Sequence, residues 1–445
     1  MFSVFGILLL LNYSTTIVYA ENNNRERLCN RMNRYSTIYD DPEDEIPVTR
    51  NKRSSPSAEQ EDPEALFLTP YIENDLIEEA ITESRVNEPF SSYESYSGFL
   101  TTNNTTETNL FMWYFPCLKN DTNTSLIVWL ESGPKYPASS RVFDTAGPFV
   151  RSSGKILRNN NTLVNDFNVL YIDSLIGAGF SFTRNPDEGY SRTFYRAAAE
   201  VVEALKQFAK MFPQSVQNGL YLNGGDIHTS KIALYLALQL HHHNHHLANG
   251  SSGDLRVDGI MIGNGLLDPV KMIGVSDLLY RIGVADKFTS EYLQSIEEEI
   301  KRLLRSGQRF HAYEKYQNLM AEVNELGYEQ MNDFTATTAD NSDDGKISQI
   351  FSRVRIKQAL HVGQIAYGSV DVPLCYLQQD MFTSVSKTVS SLIPHTKFLF
   401  YIGQYGIKVR FSSYFVIDLY RVCFRKLSKN WEEGDGLKTM HHANN

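Results

Sequence analysis

Between Leu220 and Thr229 the chain reads Leu-Tyr-Leu-Asn-Gly-Gly-Asp-Ile-His-Thr. An apolar run passes through two glycines into a helical pattern. A strand-to-helix turn of this kind lifts one side chain above a parallel sheet, and where it serves nucleophilic catalysis it reads G-x-S-x-G. Here the stretch is Gly224-Gly225-Asp226-Ile227-His228-Thr229, with a carboxylate at the apex. A serine there would attack a carbonyl, a histidine would take its proton, and an acid would orient the histidine. Asp226 cannot form that serine ester. An aspartate at such an apex has a chemistry of its own, attack on an epoxide or carbon–halogen centre to give an alkyl ester. That route needs a histidine to activate water. His228 lies two residues away, and the start of a helix is expected to carry it off. Ser230 is the nearest hydroxyl, and it is expected to be buried or turned away, one turn along the helix.

Short apolar runs must position this turn. They are Leu126–Leu130, Asn168–Asp173, Leu220–Leu222, Gly259–Ile262 and Phe398–Ile402. Near-continuous apolar runs imply burial on both faces, as in a parallel sheet. Helical patterns lie between them. Val201, Leu205, Phe208 and Phe212 recur at helical spacing, and Ser230 to Leu240 is apolar nearly all round, as for a helix buried behind the turn. The alternation predicts an α/β class with a doubly wound, mostly parallel sheet. Leu293, Ile296, Ile300 and Leu303 predict an amphipathic helix, and Thr335 to Ser348 reads as a loop. A helical cap insertion over about 268–352 would cover the carboxyl edge of the sheet, where such folds place ligands. The run His241-His-His-Asn-His-His246 could chelate a transition metal; it is read instead as a solvated loop, and no metal is expected.

The chain has 445 residues, 42% hydrophobic and 21% charged, enough for a large core. A net charge of -10 argues against nucleic acid as a partner. Residues 1–20 read as a signal peptide, with the apolar run Val4–Leu11 and small residues at Val18-Tyr19-Ala20. Residues 21–64 read as a disordered polar leader with a basic processing site ending at Arg53, and 65–445 as the folded domain. Glycosylation acceptors stand at Asn103, Asn104, Asn120, Asn123, Asn160 and Asn249. Cys29, Cys117, Cys375 and Cys423 could form two disulfides in an oxidising compartment, in any of three connectivities.

Several segments together resemble the serine carboxypeptidase family, especially its vitellogenic-type branch. They include Leu66–Glu73, Tyr96–Thr101, Leu110–Pro116, Val128–Pro134, Gly177–Phe182, Gly259–Pro269, Ala359–Gly363 and Tyr401–Gln404. The resemblance runs from about Leu66 to Trp431. It implies an α/β-hydrolase fold and removal of residues from peptide C-termini. It also implies a degenerate site. The nucleophile position falls on Asp226, the acid position on Gly406, and the histidine segment is absent; His441 and His442 lack its context. The family's clamp for the substrate carboxylate falls on Glu131 and Gly225. Its oxyanion donors fall on Gly133 and Ile227. Thr229 replaces a glycine of close helix–strand packing, so an altered turn is expected. The chain is expected to stop short of the last strand–loop–helix segment.

These features predict a secreted, catalytically silent homologue whose scaffold remains available to peptides or proteins, with no cofactor. The alternatives are an active serine carboxypeptidase with a rearranged site, for which Ser230 is the candidate, and a hydrolase using Asp226 as nucleophile.

Overall fold

The apolar runs form strands because both of their faces can be buried. The computed structural model describes residues 64–119, 123–130, 137–144, 146–152, 155–246, 255–326 and 344–402. Within them the strands are, in chain order, β1 (Tyr96–Asn103), β2 (Thr108–Phe115), β3 (Leu126–Trp129), β4 (Phe149–Ser152), β5 (Lys155–Arg158), β6 (Asn168–Ile172), β7 (Phe182–Thr183), β8 (Leu220–Asn223), β9 (Val257–Gly263) and β10 (Lys397–Tyr401). The expected signal peptide and leader, Arg53, Cys29, Cys423, Asn120, Asn249, Glu131, Gly133, Gly406, His441 and His442 lie outside the described residues.

Two compact units emerge from the contacts. The first comprises Met1–Asn120, Ser132–Phe212 and Ser342–Gln378. In it β1 pairs antiparallel with β2, Tyr96 opposite Tyr114, and β2 pairs antiparallel with β6, Met112 opposite Ile172. Every residue of β2 is buried. Asn103 closes the β1–β2 turn: its Oδ1 accepts the amides of Thr105 at 2.9 Å and Thr106 at 3.2 Å, an Asx turn. Asn103 is half-buried, while Asn104, Asn123 and Asn160 are exposed. Helix α1 (Phe194–Met211) starts where the Thr193 hydroxyl accepts the Arg196 amide at 3.2 Å. It buries Val201, Leu205 and Phe208 as their spacing predicts. Phe212 follows the helix, and its ring lies 4.7 Å from that of Tyr114.

Cysteine pairing departs from expectation. Cys375 is disulfide-bonded, but Cys117 is free and buried. Its thiol lies against the Asn165 carbonyl at 3.5 Å, which is the geometry of a weak donor rather than of a bridge.

The second unit comprises Asp121–Glu131, Pro213–Asn341 and Gln379–Asn445. Its strands are parallel in the order β3-β8-β9-β10, with Leu126 opposite Leu220, Leu222 opposite Ile260 and Phe398 opposite Ile260. β3, β8 and β9 are buried on both faces over most of their length. β10 is not: Leu399 is 55% and Tyr401 44% exposed. Helix α2 (Thr229–His246) buries Ile232, Ala233, Leu234, Leu236, Ala237 and Leu240. It also takes in the histidine run, which is therefore helix and not loop. No Gly or Pro interrupts that run, and histidine is a middling helix former, so the buried stretch before it simply propagates. Helix α3 (Lys287–Arg305) is capped by Asp286, whose Oδ1 accepts the Thr289 amide at 2.7 Å. It buries Leu293, Ile296 and Ile300, leaving Leu303 half-buried. Helix α4 (Arg309–Glu325) follows. Among the described residues no helix is long and apolar enough to cross a membrane.

Candidate functional site

The turn after β8 is fixed by the strand beside it. The amide of Gly224 donates to the Met261 carbonyl at 3.0 Å and that of Asp226 to the Gly263 carbonyl at 2.7 Å. The chain then reverses at Asp226, with φ at 119°. Positive φ is costly for most side chains, and aspartate bears it better than most. The helix that follows packs very close. A β-carbon on Gly224 would sit 2.7 Å from the Thr229 carbonyl oxygen and 2.8 Å from the Ala233 β-carbon. One on Gly265 would sit 2.9 Å from the Ser230 β-carbon. Both positions require glycine.

Asp226 turns its carboxylate onto the helix it begins. Its Oδ1 accepts the His228 and Thr229 amides, each at 2.8 Å, with the Thr229 hydroxyl at 3.2 Å. This caps the helix start from two residues before the N-cap position: it satisfies donors that the first turn of a helix otherwise leaves bare. Its Oδ2 lies 3.3 Å from Nε2 of His228. The expected divergence of His228 is corrected, because the cap bends the backbone so that the second residue on folds back over the first. The approach is a close contact rather than a hydrogen bond, since the buried Nε2 makes no hydrogen bond among the described residues. Burial pushes the Asp226 carboxyl above its ordinary range; the His228 ring and the Thr229 and His228 hydrogen bonds oppose the shift.

Thr229 is fully buried and its hydroxyl donates to the Gly225 carbonyl at 2.9 Å, so the added bulk comes with its own partner. Ser230 is fully buried, with its hydroxyl on the Ile227 carbonyl at 3.3 Å, as expected. Gly225, Asp226 and Ile227 thus sit together on one turn.

Lys231 was not anticipated. It is completely buried on α2, and its ammonium donates to the carbonyls of Met381 and, at 2.9 Å, Thr383. Arg309 donates to the Thr383 hydroxyl at 3.0 Å, and that hydroxyl donates to Asp380 Oδ1 at 2.5 Å. Burial pulls the Lys231 amine down to about 7, with Asp380 opposing and Arg309 adding. The visible signal was a lone cation in an otherwise apolar helix.

The first unit holds a second buried carboxylate, Asp173, at the end of β6. Its Oδ1 accepts the Ser139 amide at 2.8 Å; its Oδ2 accepts the Ser139 hydroxyl at 2.9 Å and the Phe180 amide at 3.1 Å. Burial nonetheless pushes it up to about 7. Gly179 approaches at φ 61°, where a β-carbon would come within 1.9 Å of Oδ2. A small hollow of about 10 Å³ lies beside it, lined by Pro137, Ala138, Leu175, Ala178 and Val370. Ligand pockets run to roughly 300–1,000 Å³.

Comparison with known proteins agrees with this architecture. The family model described as serine carboxypeptidase matches residues 85–415. The chain is 28% identical over 369 residues to the vitellogenic carboxypeptidase of Aedes aegypti, covering 80% of this chain and 76% of the relative. It is 31% identical over 356 residues to the probable serine carboxypeptidase CPVL of Homo sapiens, covering 77% and 73%. Among solved structures, the prohormone-processing carboxypeptidase Kex1ΔP of Saccharomyces cerevisiae superposes with a TM-score of 0.63 at 18% identity, over 76% of this chain and 81% of that one. That likeness carries the α/β-hydrolase fold. With the family model spanning most of the chain and a relative above 30% identity, the protein belongs to the serine carboxypeptidase family.

Proposed function

We propose that this chain is a secreted serine carboxypeptidase homologue that has lost the peptidase reaction and keeps its scaffold for holding peptides or proteins. One observation carries the reading. At the tip of the turn after β8 stands Asp226, with Oδ1 shared by three donors and Oδ2 against His228. A side chain held in that way serves the helix start. The family resemblance adds Gly406 at the acid position and Glu131 at the clamp; an ionised Glu131 would repel a substrate carboxylate. In subtilisin, removing the serine or the histidine alone costs about 10⁶ in turnover, or roughly 8 kcal/mol. Ser230 offers no replacement, because its hydroxyl is fully buried against Ile227.

The test is a fluorophosphonate probe and a panel of blocked dipeptides on the purified chain from pH 4 to 8. No covalent label and no release of C-terminal residues are expected. Labelling at a single serine, or hydrolysis abolished by one substitution, would overturn the reading.

The closeness of His228 to Asp226 favours one other chemistry, alkyl transfer to Oδ2. Incubation with an epoxide and peptide mass analysis tests it: added mass at Asp226 would establish the aspartate nucleophile, and unmodified Asp226 dismisses it.

A further inference from the structure

The family-like stretch Ala359–Gly363 holds the first described residues of the fold. His361 stands there at a φ of 57°, in the left-handed region, and Gly363 follows at 59°. Asparagine, aspartate and histidine enter that region more readily than most side chains. The bend turns the His361 carbonyl onto the amide of Leu66 at 2.9 Å, and Val362 bridges Ala65.

Ala65–Leu68 is thereby a strap with two attachments. On one side lies His361–Gly363, so close that a β-carbon on Gly363 would come 2.7 Å from the Ala65 amide nitrogen. On the other lies β1. The Leu68 amide donates to the Phe99 carbonyl at 2.8 Å, and the Phe99 amide to the Leu66 carbonyl at 2.9 Å. Among the described strands β1 has β2 as its one neighbour, so at Phe99 the strap covers its other edge.

The ring of His361 is fixed by the same strand. The Ser97 hydroxyl donates its proton to the Leu360 carbonyl at 3.0 Å. Its oxygen lies 3.3 Å from Nδ1 of His361 and is left as an acceptor, so Nδ1 carries the ring's proton. A second proton must go to Nε2 and charge a half-buried ring. Burial pulls His361 below the ordinary histidine range, against the bond to Ser97 and the field of Glu83. Glu83 ends the helix Ile77–Glu83. The other charged groups on the elements around the ring are Glu64, Arg85, Arg355 and Lys357, and none of them is buried. Carboxylates ordinarily titrate near about 4, and amines and guanidiniums above about 10, so between pH 5 and 7.5 the imidazole is the group that changes charge.

We propose that His361 is an acid-released latch on the strap Ala65–Leu68: the neutral ring holds the bend that receives Leu66, and the charged ring lets the strap leave the edge of β1. The direction follows from linkage. The folded state prefers the neutral ring, so the closed strap is favoured above the ordinary histidine range and loses ground as pH falls below it. Release bares the amide and carbonyl of Phe99, an edge with which another extended segment can pair.

Hydrogen exchange of the full chain at pH 7.5 and 5.0 tests the latch, read on peptides covering the strap and corrected for the intrinsic pH dependence of exchange. Protection of Leu66 and Leu68 is expected to fall at least about tenfold from the higher pH to the lower, while Val201 and Leu205 of α1 change less than about twofold. His361→Asn keeps a side chain suited to the left-handed bend and removes the titrating ring. Its strap should show the same protection at both pH values, whatever that level is. His361→Gly, judged by the same ratio, serves should the asparagine form fold poorly. Three results would overturn the latch: equal strap protection in the wild type at both pH values, a fall of wild-type size in a folded His361 variant, or a fall in α1 as large as in the strap. The last would mean that acid loosens the whole first unit. None of these outcomes bears on peptidase activity.

Discussion

Oδ1 of Asp226 stands 2.8 Å from the amide nitrogen of Thr229, the first residue of α2. The same carboxyl group is pushed up by burial. The two facts make opposite demands, and substitution separates them. Asp226→Ala removes the cap and is expected to cost about 1 kcal/mol. Asp226→Asn keeps an acceptor at Oδ1 and removes the charge. A raised folded pKa means that the native state holds its proton longer than the unfolded chain. Stability from this group is therefore present at acid pH and falls as pH rises through the ordinary carboxylate range. Melting curves of wild type and Asp226→Asn should coincide near pH 4, with the asparagine form melting higher near pH 7. Parallel curves at all pH values would refute the assignment.

Restoring the hydroxyl alone should not restore chemistry. Asp226→Ser is expected to show no fluorophosphonate labelling and no carboxypeptidase turnover, since on the reading proposed above Gly406 stands at the acid position and a serine whose base is not oriented is a weak nucleophile. Measurable release of a C-terminal residue by this single variant would contradict the proposed loss of function.

Lys231 gives a pH dependence of the other sign. Its folded pKa, about 7, lies below that of a free lysine. The native state sheds this proton first, so stability rises with pH from about 7 toward the ordinary lysine range. Lys231→Met should flatten that rise. It also leaves the Met381 and Thr383 carbonyls without the ammonium they accept from, at about 1–3 kcal/mol. Urea unfolding at pH 7 and 9 checks both parts.

Asp173 and Gly179 are matched by shape. Gly179→Ala must place a methyl group 1.9 Å from Oδ2 at a φ of 61°, and a loss of about 3 kcal/mol or more is expected. Gly283 supplies the control. Its φ is 77° with nothing within 4 Å of an added β-carbon, so Gly283→Ala should cost only the backbone penalty of about 1–2 kcal/mol. Similar losses in the two variants would remove the clash as the cause. The wild type should also lose stability as pH rises from about 4 to 7, because the Asp173 carboxyl titrates near 7 when folded.

The strands that sequence made legible are those with both faces covered. Leu126–Trp129 and Leu220–Asn223 carry an unbroken apolar signal because burial is what selected them. β10 carries the same signal while leaving Leu399 and Tyr401 exposed, so composition overstated its burial. β1 entered the reading only as family-like text, since Tyr96–Asn103 mixes polar and apolar residues without clean alternation; β2 also entered only as family-like text, although it is apolar from Leu110 to Phe115 and buried throughout. In the turn, the apex and the buried Ser230 were readable from spacing alone. The direction of His228 was not, because it depends on a cap that reverses the local chain. The bond of Leu66 to His361 and the anchoring of Lys231 are tertiary contacts between distant segments. No window of sequence contains them.

Gly224 and Gly265 press against α2 from two sides, and neither has room for a single added carbon. Asp226, two residues on from Gly224 and one-fifth exposed, meets a different limit: a φ of 119° and the donors its Oδ1 accepts from. The interior therefore fixes the flanks of the turn by volume, and backbone shape and hydrogen bonds, not packing, fix its tip. On the reading proposed above, a lineage can discard its reagent in one step and go on inheriting the notch that once held it.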